Sequence, residues 1–283
     1  MAEGETGSWE AKGLRLIAVD MDGTLLDADG MVPDAIWPIL RTLRDRGITF
    51  APASGRQYAT LRQLFDRDTA GMTFIAENGA FVVRDEQEVS STTLERSTVV
   101  AVLDAMTALS ARGGDVGVVM CGKRKAFVAR DDAPFLEEVR KYYASYEVVG
   151  NLHAVDEDVV KVAIFDFGDA TASAAALSSI SATNQVVVSG PHWVDVMTRG
   201  VNKGVALVAL QQHLGIGPDQ TAAFGDYLND LEMLQAARHS FAMENAHPTI
   251  KRAARHMAPH HADDGVVTVL RAILQEATDA IEP

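Results

Sequence analysis

Cysteine, basic residues and long apolar runs are all scarce in this chain, and each scarcity argues against a class of protein. Cys121 is the only cysteine among 283 residues, so no disulfide can form within the chain and nothing indicates an oxidising compartment. Residues 1–13 lack the basic and apolar regions of a secretion signal, and apolar runs such as 99–102 are too short to cross a bilayer. We therefore expect a soluble, cytoplasmic protein.

Positive charge is in deficit. The chain has 25 Lys and Arg against 39 Asp and Glu, a formal charge of -14, which repels a polyanion. Nucleic acid is therefore not an expected partner, and neither is a membrane. A small phosphorylated metabolite remains compatible, because a divalent cation and one lysine can reverse the potential inside a single cleft. The sequence gives no indication of oligomeric state.

The order of apolar patterns predicts an α/β protein with a parallel sheet. Strands are expected at 14–19, 48–53, 73–76 and 221–224, alternating with helices that include 34–46 and 201–214. After the charged run 84–88 the texture changes to an α+β pattern with an Ala- and Ser-rich helix over 171–181. We therefore predict a core of residues 1–84 and 198–283, interrupted by an inserted domain, 85–197.

An acidic motif stands at the end of the first predicted strand. Asp20-Met21-Asp22-Gly23-Thr24 places two carboxylates two residues apart, so that one can attack a substrate while the other handles protons. Such a motif alone could equally be a turn. A carboxylate that attacks phosphorus needs a metal ion to offset the repulsion between the two anions.

A second acidic motif supplies the metal ligand. Gly225-Asp226-Tyr227-Leu228-Asn229-Asp230 follows the predicted strand 221–224 and should reach the same carboxyl edge of the sheet. Carboxylate oxygens suit Mg²⁺, with water and phosphate completing the coordination. The sequence therefore predicts a magnesium site that includes Asp20 and Asp226.

A hydroxyl and an ammonium group complete the predicted phosphate site. Ser54 ends a strand and precedes Gly55, which lets a backbone N–H approach a phosphate oxygen. Ser54 also suits a helix N-cap, a role compatible with phosphate binding. Lys203 begins an apolar-striped helix, where both its ammonium and the helix N-terminus favour an anion.

The order of the motifs DxDGT, SGR, NKG and GDxxND resembles the haloacid dehalogenase (HAD) superfamily, particularly its Cof-type subclass IIB sugar phosphatases, over nearly the whole chain from Leu14. The resemblance implies a Rossmann-like core with a C2-type cap inserted between Ser54 and Lys203. It implies a Mg²⁺-dependent phosphatase that acts on sugar phosphates or other small metabolites.

The resemblance also assigns roles to residues. It makes Asp20 the nucleophile and Asp22 the general acid and base, whose main-chain carbonyl joins the metal. Phosphate contacts fall on Ser54, Gly55, Lys203 and Asn229, metal binding on Asp20, Asp22 and Asp226, and supporting roles on Asp230, Asn78 and Thr24.

Other interpretations stay open at this point. A phosphomutase or phosphotransferase could use the same intermediate, and a regulator could sense a phosphorylated ligand without catalysis. His260 and His261 lie in a polar loop rather than a zinc site, and the run Lys123-Arg124-Lys125 is interpreted as an exposed charged hairpin.

Overall fold

The computed structural model describes residues 13–279 of the chain. Contacts divide these residues into two compact units. The first comprises 13–52, 70–73 and 211–279, and the second comprises 53–69 and 74–210. The predicted core and cap boundaries, at 84/85 and 197/198, stay a prediction.

The structure forms two sheets and a set of helices. The strands are β1 Leu16–Asp20, β2 Thr49–Ala53, β3 Thr73–Ala76, β4 Phe81–Arg84, β5 Gln87–Ser91, β6 Val116–Gly122, β7 Ala126–Val128, β8 Tyr146–Val148, β9 Val159–Asp166, β10 Asn184–Val188, β11 Trp193–Thr198, β12 Thr221–Gly225, β13 His239–Met243 and β14 His256–Ala258. The α-helices are α1 Ile36–Asp45, α2 Tyr58–Gln63, α3 Arg96–Ala111, α4 Ala133–Tyr142, α5 Ala170–Ala176, α6 Lys203–Leu214, α7 Leu231–Gln235, α8 Pro248–Ala253 and α9 Gly265–Asp279.

The larger sheet has the strand order β14-β13-β12-β1-β2-β3-β4-β5. The β1/β12, β12/β13 and β13/β14 pairs are parallel, whereas β4 and β5 are antiparallel. Every residue of β1 is buried, as a strand covered on both faces requires. The helix predicted over 34–46 forms as α1, which buries its apolar stripe and places Pro38 in its first turn.

The second unit contains a six-stranded sheet with the order β10-β11-β9-β6-β7-β8. Neighbouring pairs are antiparallel except β7/β8. Apolar residues of α3 pack on one face of this sheet, where Val162, Ile164 and Val196 are buried. Successive residues of a strand point to opposite faces, so Lys161 lies on the other face of β9.

The structure differs from the sequence predictions in two places, at residues 84–88 and 171–181. The charged run 84–88 is not a simple break, because it forms the turn of the β4/β5 hairpin, with Asp85 and Glu86 at φ angles of 47° and 61°. The helix predicted over 171–181 ends at Ala176, and Ile180–Ala182 forms a separate 3₁₀ turn. Serine favours turns over helix interiors because its hydroxyl competes for backbone groups, and Ser181 donates to the Ser178 carbonyl at 2.7 Å.

The fold class predicted from the sequence is confirmed: an α/β protein that combines a mainly parallel sheet with an α+β part. Among residues 13–279, no helix is both long and apolar enough to span a membrane.

Candidate active site

Three carboxylates of the first unit come together at the ends of β1 and β12. Asp20 is the last residue of β1, Asp226 follows β12, and Asp230 follows four residues later. One oxygen from each lies within 4.8 Å of the others. Asp20 and Asp230 are buried, and Asp226 is partly buried. The two acidic motifs therefore share one edge of the sheet, because parallel neighbouring strands end on the same side.

The turn after β1 is shaped around Asp226. Gly23 has a φ of 78°, and a Cβ added to it would lie 2.5 Å from the Oδ2 atom of Asp226. Thr24 donates its hydroxyl to the Oδ1 atom of Asp226 at 3.1 Å. Glycine at position 23 therefore satisfies the left-handed backbone and also leaves room for the carboxylate. Asp22, between Asp20 and Gly23, has an exposed side chain.

Asp230 organises the second acidic loop. Its Oδ2 atom accepts hydrogen bonds from the backbone N–H groups of Asp226 at 3.0 Å and Tyr227 at 3.1 Å. Gly225 leaves space for this carboxylate, because a Cβ there would lie 2.5 Å from the Cβ of Asp230. Asn229 is exposed on the same loop. The family resemblance implied a supporting role for Asp230, and these bonds show that it fixes the backbone that carries Asp226.

The acidic cluster fits a magnesium ion. Carboxylate oxygens are the ligands that Mg²⁺ prefers, and a few of them usually suffice beside water and phosphate. Carboxylates buried this close repel one another, and a divalent cation relieves the repulsion. Asp20, Asp226 and Asp230 are therefore the residues of the first unit that could hold the ion.

Residues of the second unit form the segment that carries Ser54 and Gly55, which are predicted to contact phosphate, and the segment that carries Asn78, which is predicted to support the site. Ser54 is buried after β2, and its hydroxyl oxygen accepts from the N–H of Arg56 at 3.1 Å. The N–H of Asn78 donates to the Ser54 carbonyl at 2.9 Å. A Cβ added to Gly55 would lie 3.0 Å from the side-chain nitrogen, Nδ2, of Asn78. The segments 54–56 and 77–79 are therefore held against each other.

Lys203 is fully buried at the first position of α6. The preceding residue, Asn202, caps this helix by accepting from the N–H of Val205 at 2.8 Å. A Cβ added to Gly79 would lie 2.4 Å from the carbonyl oxygen of Asn202. The start of α6 thus packs closely on the 77–79 turn, which brings Lys203 to the same part of the second unit as Asn78.

Sequence reasoning missed residues that support the turn after β1. The amide of Asn245 donates to the Gly23 carbonyl at 2.7 Å and accepts from the N–H of His261 at 3.2 Å. The Nδ1 atom of His261 lies 3.0 Å from the Leu26 carbonyl, a distance that suits an N–H donor. The His260-His261 loop therefore braces the turn, and no sequence pattern marked Asn245.

The charged run on the β6/β7 connection is occupied by ion pairs. Lys123 pairs with Glu88 and Asp158, Arg124 with Glu86, and Lys125 with Glu147. These contacts agree with the interpretation of a charged hairpin.

Comparison with known proteins identifies the family. Residues 17–270 match the model of the haloacid dehalogenase-like hydrolases. The Escherichia coli (strain K12) protein 5-amino-6-(5-phospho-D-ribitylamino)uracil phosphatase YbjI is 30% identical over 267 residues, which cover 93% of this chain and 97% of that protein. HMP-PP phosphatase of Cronobacter sakazakii is 29% identical over 247 residues, which cover 86% of this chain and 89% of that protein.

Among solved structures, the HAD subclass IIB sugar phosphatase BT4131 has the same fold. It superposes with a TM-score of 0.72 at 23% identity, over 91% of this chain and 98% of that one. The family model spans both acidic motifs and nearly all of the described structure, so this chain belongs to the haloacid dehalogenase-like hydrolase family.

Proposed function

We propose that this chain is a Mg²⁺-dependent phosphatase that hydrolyses small phosphorylated metabolites, sugar phosphates in particular, through an aspartyl-phosphate on Asp20. Its hydrolase family and its phosphatase relatives support the reaction class. The observation that carries the rest is the acidic cluster, which sets the Asp20 carboxylate within 4.8 Å of oxygens of Asp226 and Asp230. A cytoplasmic location stays a prediction of the sequence.

The first half of the reaction transfers the phosphoryl group to the enzyme. The Asp20 carboxylate attacks phosphorus, a new bond forms between them, and the bond from phosphorus to the ester oxygen breaks. Asp22, in its protonated form, donates its proton to the departing alcohol oxygen. Mg²⁺, when bound, supplies positive charge that offsets the repulsion between the carboxylate and the phosphate.

The second half returns the enzyme to its starting state. Asp22, now ionised, takes a proton from water, and the water oxygen attacks phosphorus. The bond between phosphorus and the Asp20 oxygen breaks and releases inorganic phosphate. The ammonium of Lys203, the start of α6, the Ser54 hydroxyl and Asn229 would hold the phosphate oxygens through both halves.

The names of the relatives order the substrates to be tested. We place 5-amino-6-(5-phospho-D-ribitylamino)uracil first, because the relative named for it aligns with nearly the whole chain. HMP-PP, hexose phosphates, nucleotides, flavin mononucleotide and pyridoxal phosphate complete the panel.

The proposal is tested by Asp20→Asn, with Asp29→Asn as the matched control on an exposed residue of the following loop. We expect wild type and Asp29→Asn to release inorganic phosphate with Mg²⁺ and to stop with EDTA, and Asp20→Asn to be inactive under both conditions. The measurement is colorimetric phosphate release, which also separates hydrolysis from transfer to an acceptor. Near-normal hydrolysis by a folded Asp20→Asn protein would overturn the mechanism.

A further inference from the structure

A buried charge network lies in the second unit, apart from the residues assigned to catalysis. The Nζ atom of Lys161 lies 2.6 Å from the Oε2 atom of Glu77 and 4.0 Å from the Oδ1 atom of Asp195. All three side chains are buried, with 1% of Glu77 and 4% of Lys161 exposed. Lys161 also lies over the ring of Tyr143, 5.6 Å from its centroid. A single lysine thus stands between two carboxylates away from water.

This network holds the segments 54–56 and 77–79. Besides its ion pair with Glu77, Lys161 donates to the Gly55 carbonyl at 3.5 Å. The N–H of Glu77 donates to the Arg56 carbonyl at 3.0 Å. Lys161 therefore contacts both segments at once, 54–56 through the Gly55 carbonyl and 77–79 through the Glu77 side chain.

The 77–79 turn requires such support, because its backbone is strained. Glu77 and Asn78 have φ angles of 51° and 54°, in the left-handed region that is costly for residues other than glycine. Conformations of this kind persist only where the surrounding contacts fix them. The side chain of Asn78 points to Gly55, so the strained backbone sets the position of Asn78, a predicted supporting residue, relative to Gly55, a predicted phosphate contact.

The charge balance favours an ionised Lys161. Burial opposes its charge, but Asp195 and Glu77 outweigh burial and raise the pKa of Lys161 well above its ordinary value. Burial also raises the pKa of Glu77, and Lys161 offsets that shift only in part. Removal of Lys161 alone would therefore leave two buried carboxylates without their cation.

We propose that Lys161, paired with Glu77, is a positioning residue for phosphate binding: it clamps the Gly55 carbonyl and the 77–79 turn so that Ser54, Gly55 and Asn78 meet a phosphate in one fixed geometry. The proposal rests on the proposed function, in which Ser54 holds the phosphate, and on the sequence predictions that Gly55 also contacts phosphate and that Asn78 supports the site. Lys161 itself touches no substrate in this scheme, so its loss weakens the binding of every phosphorylated substrate to the same degree, whatever the leaving group.

The test compares Glu77→Gln, Lys161→Met and the double variant Glu77→Gln/Lys161→Met. Lys141→Met is the matched control, because Lys141 forms an exposed ion pair with Glu138 in the same unit. The readouts are thermal unfolding, the inhibition constant of inorganic phosphate, and kcat and KM for two substrates with different leaving groups, p-nitrophenyl phosphate and glucose 6-phosphate. Phosphate inhibition reports the phosphate pocket alone.

We expect the folded double variant to bind phosphate on the order of 10-fold more weakly, the loss expected for one charge-assisted contact. KM for both substrates should rise by the same factor, and Lys141→Met should match wild type. If the double variant does not fold, Glu77→Gln tests the proposal. This variant keeps the shape of the Glu77 side chain and leaves Asp195 as the counter-ion of Lys161. We expect it to show the same effect in smaller degree.

Wild-type phosphate inhibition in a folded variant that lacks the pair would overturn the proposal and leave a purely structural role. Unequal factors for the two substrates would also overturn it, because they would place Lys161 at the leaving group. Both outcomes presuppose wild-type activity that Asp20→Asn abolishes. If wild type has no Mg²⁺-dependent activity and does not bind phosphate, the proposed function fails instead.

Discussion

At the scale of single residues, Gly23 shows how closely the two acidic motifs are fitted. In Gly23→Ala the added Cβ would lie 2.5 Å from the Asp226 carboxylate, so either the turn or the carboxylate must move. Since a displacement of about 1 Å in a catalytic site can cost on the order of 100-fold in rate, we expect a loss of kcat/KM of roughly that size. Steady-state kinetics with p-nitrophenyl phosphate at saturating Mg²⁺ measures it.

Gly30→Ala is the matched control for this prediction. Gly30 also has a positive φ, 73°, but a Cβ added there has no atom within 4 Å. Both variants pay the conformational cost of alanine in the left-handed region, about 1 kcal/mol of unfolding free energy, and only Gly23→Ala meets Asp226. Equal activity in the two variants would mean that the close fit at Gly23 has no catalytic value.

The acidic residues at strand ends could be predicted from the sequence, whereas the buried contacts that position the rest of the site could not. Asp20 and Asp226 each follow an apolar run that predicts a buried strand, and parallel strands end at one edge. The contact between Glu77 and Lys161 joins positions 84 apart, and no local pattern specifies it. The available signal was a lysine inside the apolar run 159–165, which is unusual in a buried strand.

At the scale of secondary structure elements, the packing of α4 on β6 depends on a missing side chain. A Cβ added to Gly117 in β6 would lie 2.0 Å from the ring of Phe135 in α4. We expect Gly117→Ala to lower the free energy of unfolding by about 1 to 3 kcal/mol, the usual range for overpacking. Urea unfolding followed by circular dichroism measures the change.

Gly150→Ala serves as the control, because a Cβ at Gly150 has no atom within 4 Å and no positive φ is required there. Its stability should stay the same or rise slightly, since alanine restricts the unfolded chain. A Gly117→Ala protein as stable as Gly150→Ala would show that α4 can shift away from β6 without cost.

The edge strand β14 and its neighbour β13 give the first unit a predicted response to acid. Burial lowers the pKa of His239 and of His256, and the charge of His239 lowers that of His256 further. A depressed folded pKa means that the unfolded chain takes up protons more readily. Stability is therefore complete above about pH 6.5, the ordinary histidine value, and is lost as the pH falls through it towards the folded pKa.

Urea unfolding at pH 7.5 and pH 5.5 measures this effect. We expect wild type to be less stable at pH 5.5 and His256→Gln to lose part of that difference. His213→Gln, on the exposed surface of α6, is the control and should keep the wild-type response. An unchanged pH response in His256→Gln would exclude His256 as a source of acid sensitivity.

Long periodic elements could be predicted from the sequence, and short edge elements could not. Helix α1 carries a clear apolar stripe, and its prediction was correct to within two residues at each end. Strand β5 is largely polar and has no buried residue, and β14 has only three residues, so neither offers a pattern that differs from a loop. Their existence depends on neighbouring strands, which a local pattern does not contain.

At the scale of the whole molecule, net charge and the acidic cluster act in the same direction. A chain with a formal charge of -14 attracts cations in general, and Asp20, Asp226 and Asp230 concentrate that attraction at one edge of a sheet. Such a site costs stability while it is empty, because its carboxylates repel one another. It regains that stability when a divalent cation binds the folded state.

Removal of one carboxylate separates these two effects. We expect wild type to gain about 2.7 kcal/mol when free Mg²⁺ exceeds its dissociation constant 100-fold, seen as a higher melting temperature at constant ionic strength. Asp226→Asn should lose most of this gain and yet melt above metal-free wild type, because one of the three mutually repelling charges has gone. Its amide oxygen can still accept from Thr24, so the turn is preserved. Asp29→Asn, at an exposed position, should behave as wild type in both conditions. A full Mg²⁺ response in Asp226→Asn would show that the ion binds elsewhere. A metal-free melting temperature below that of wild type would show that repulsion between the carboxylates does not destabilise the cluster.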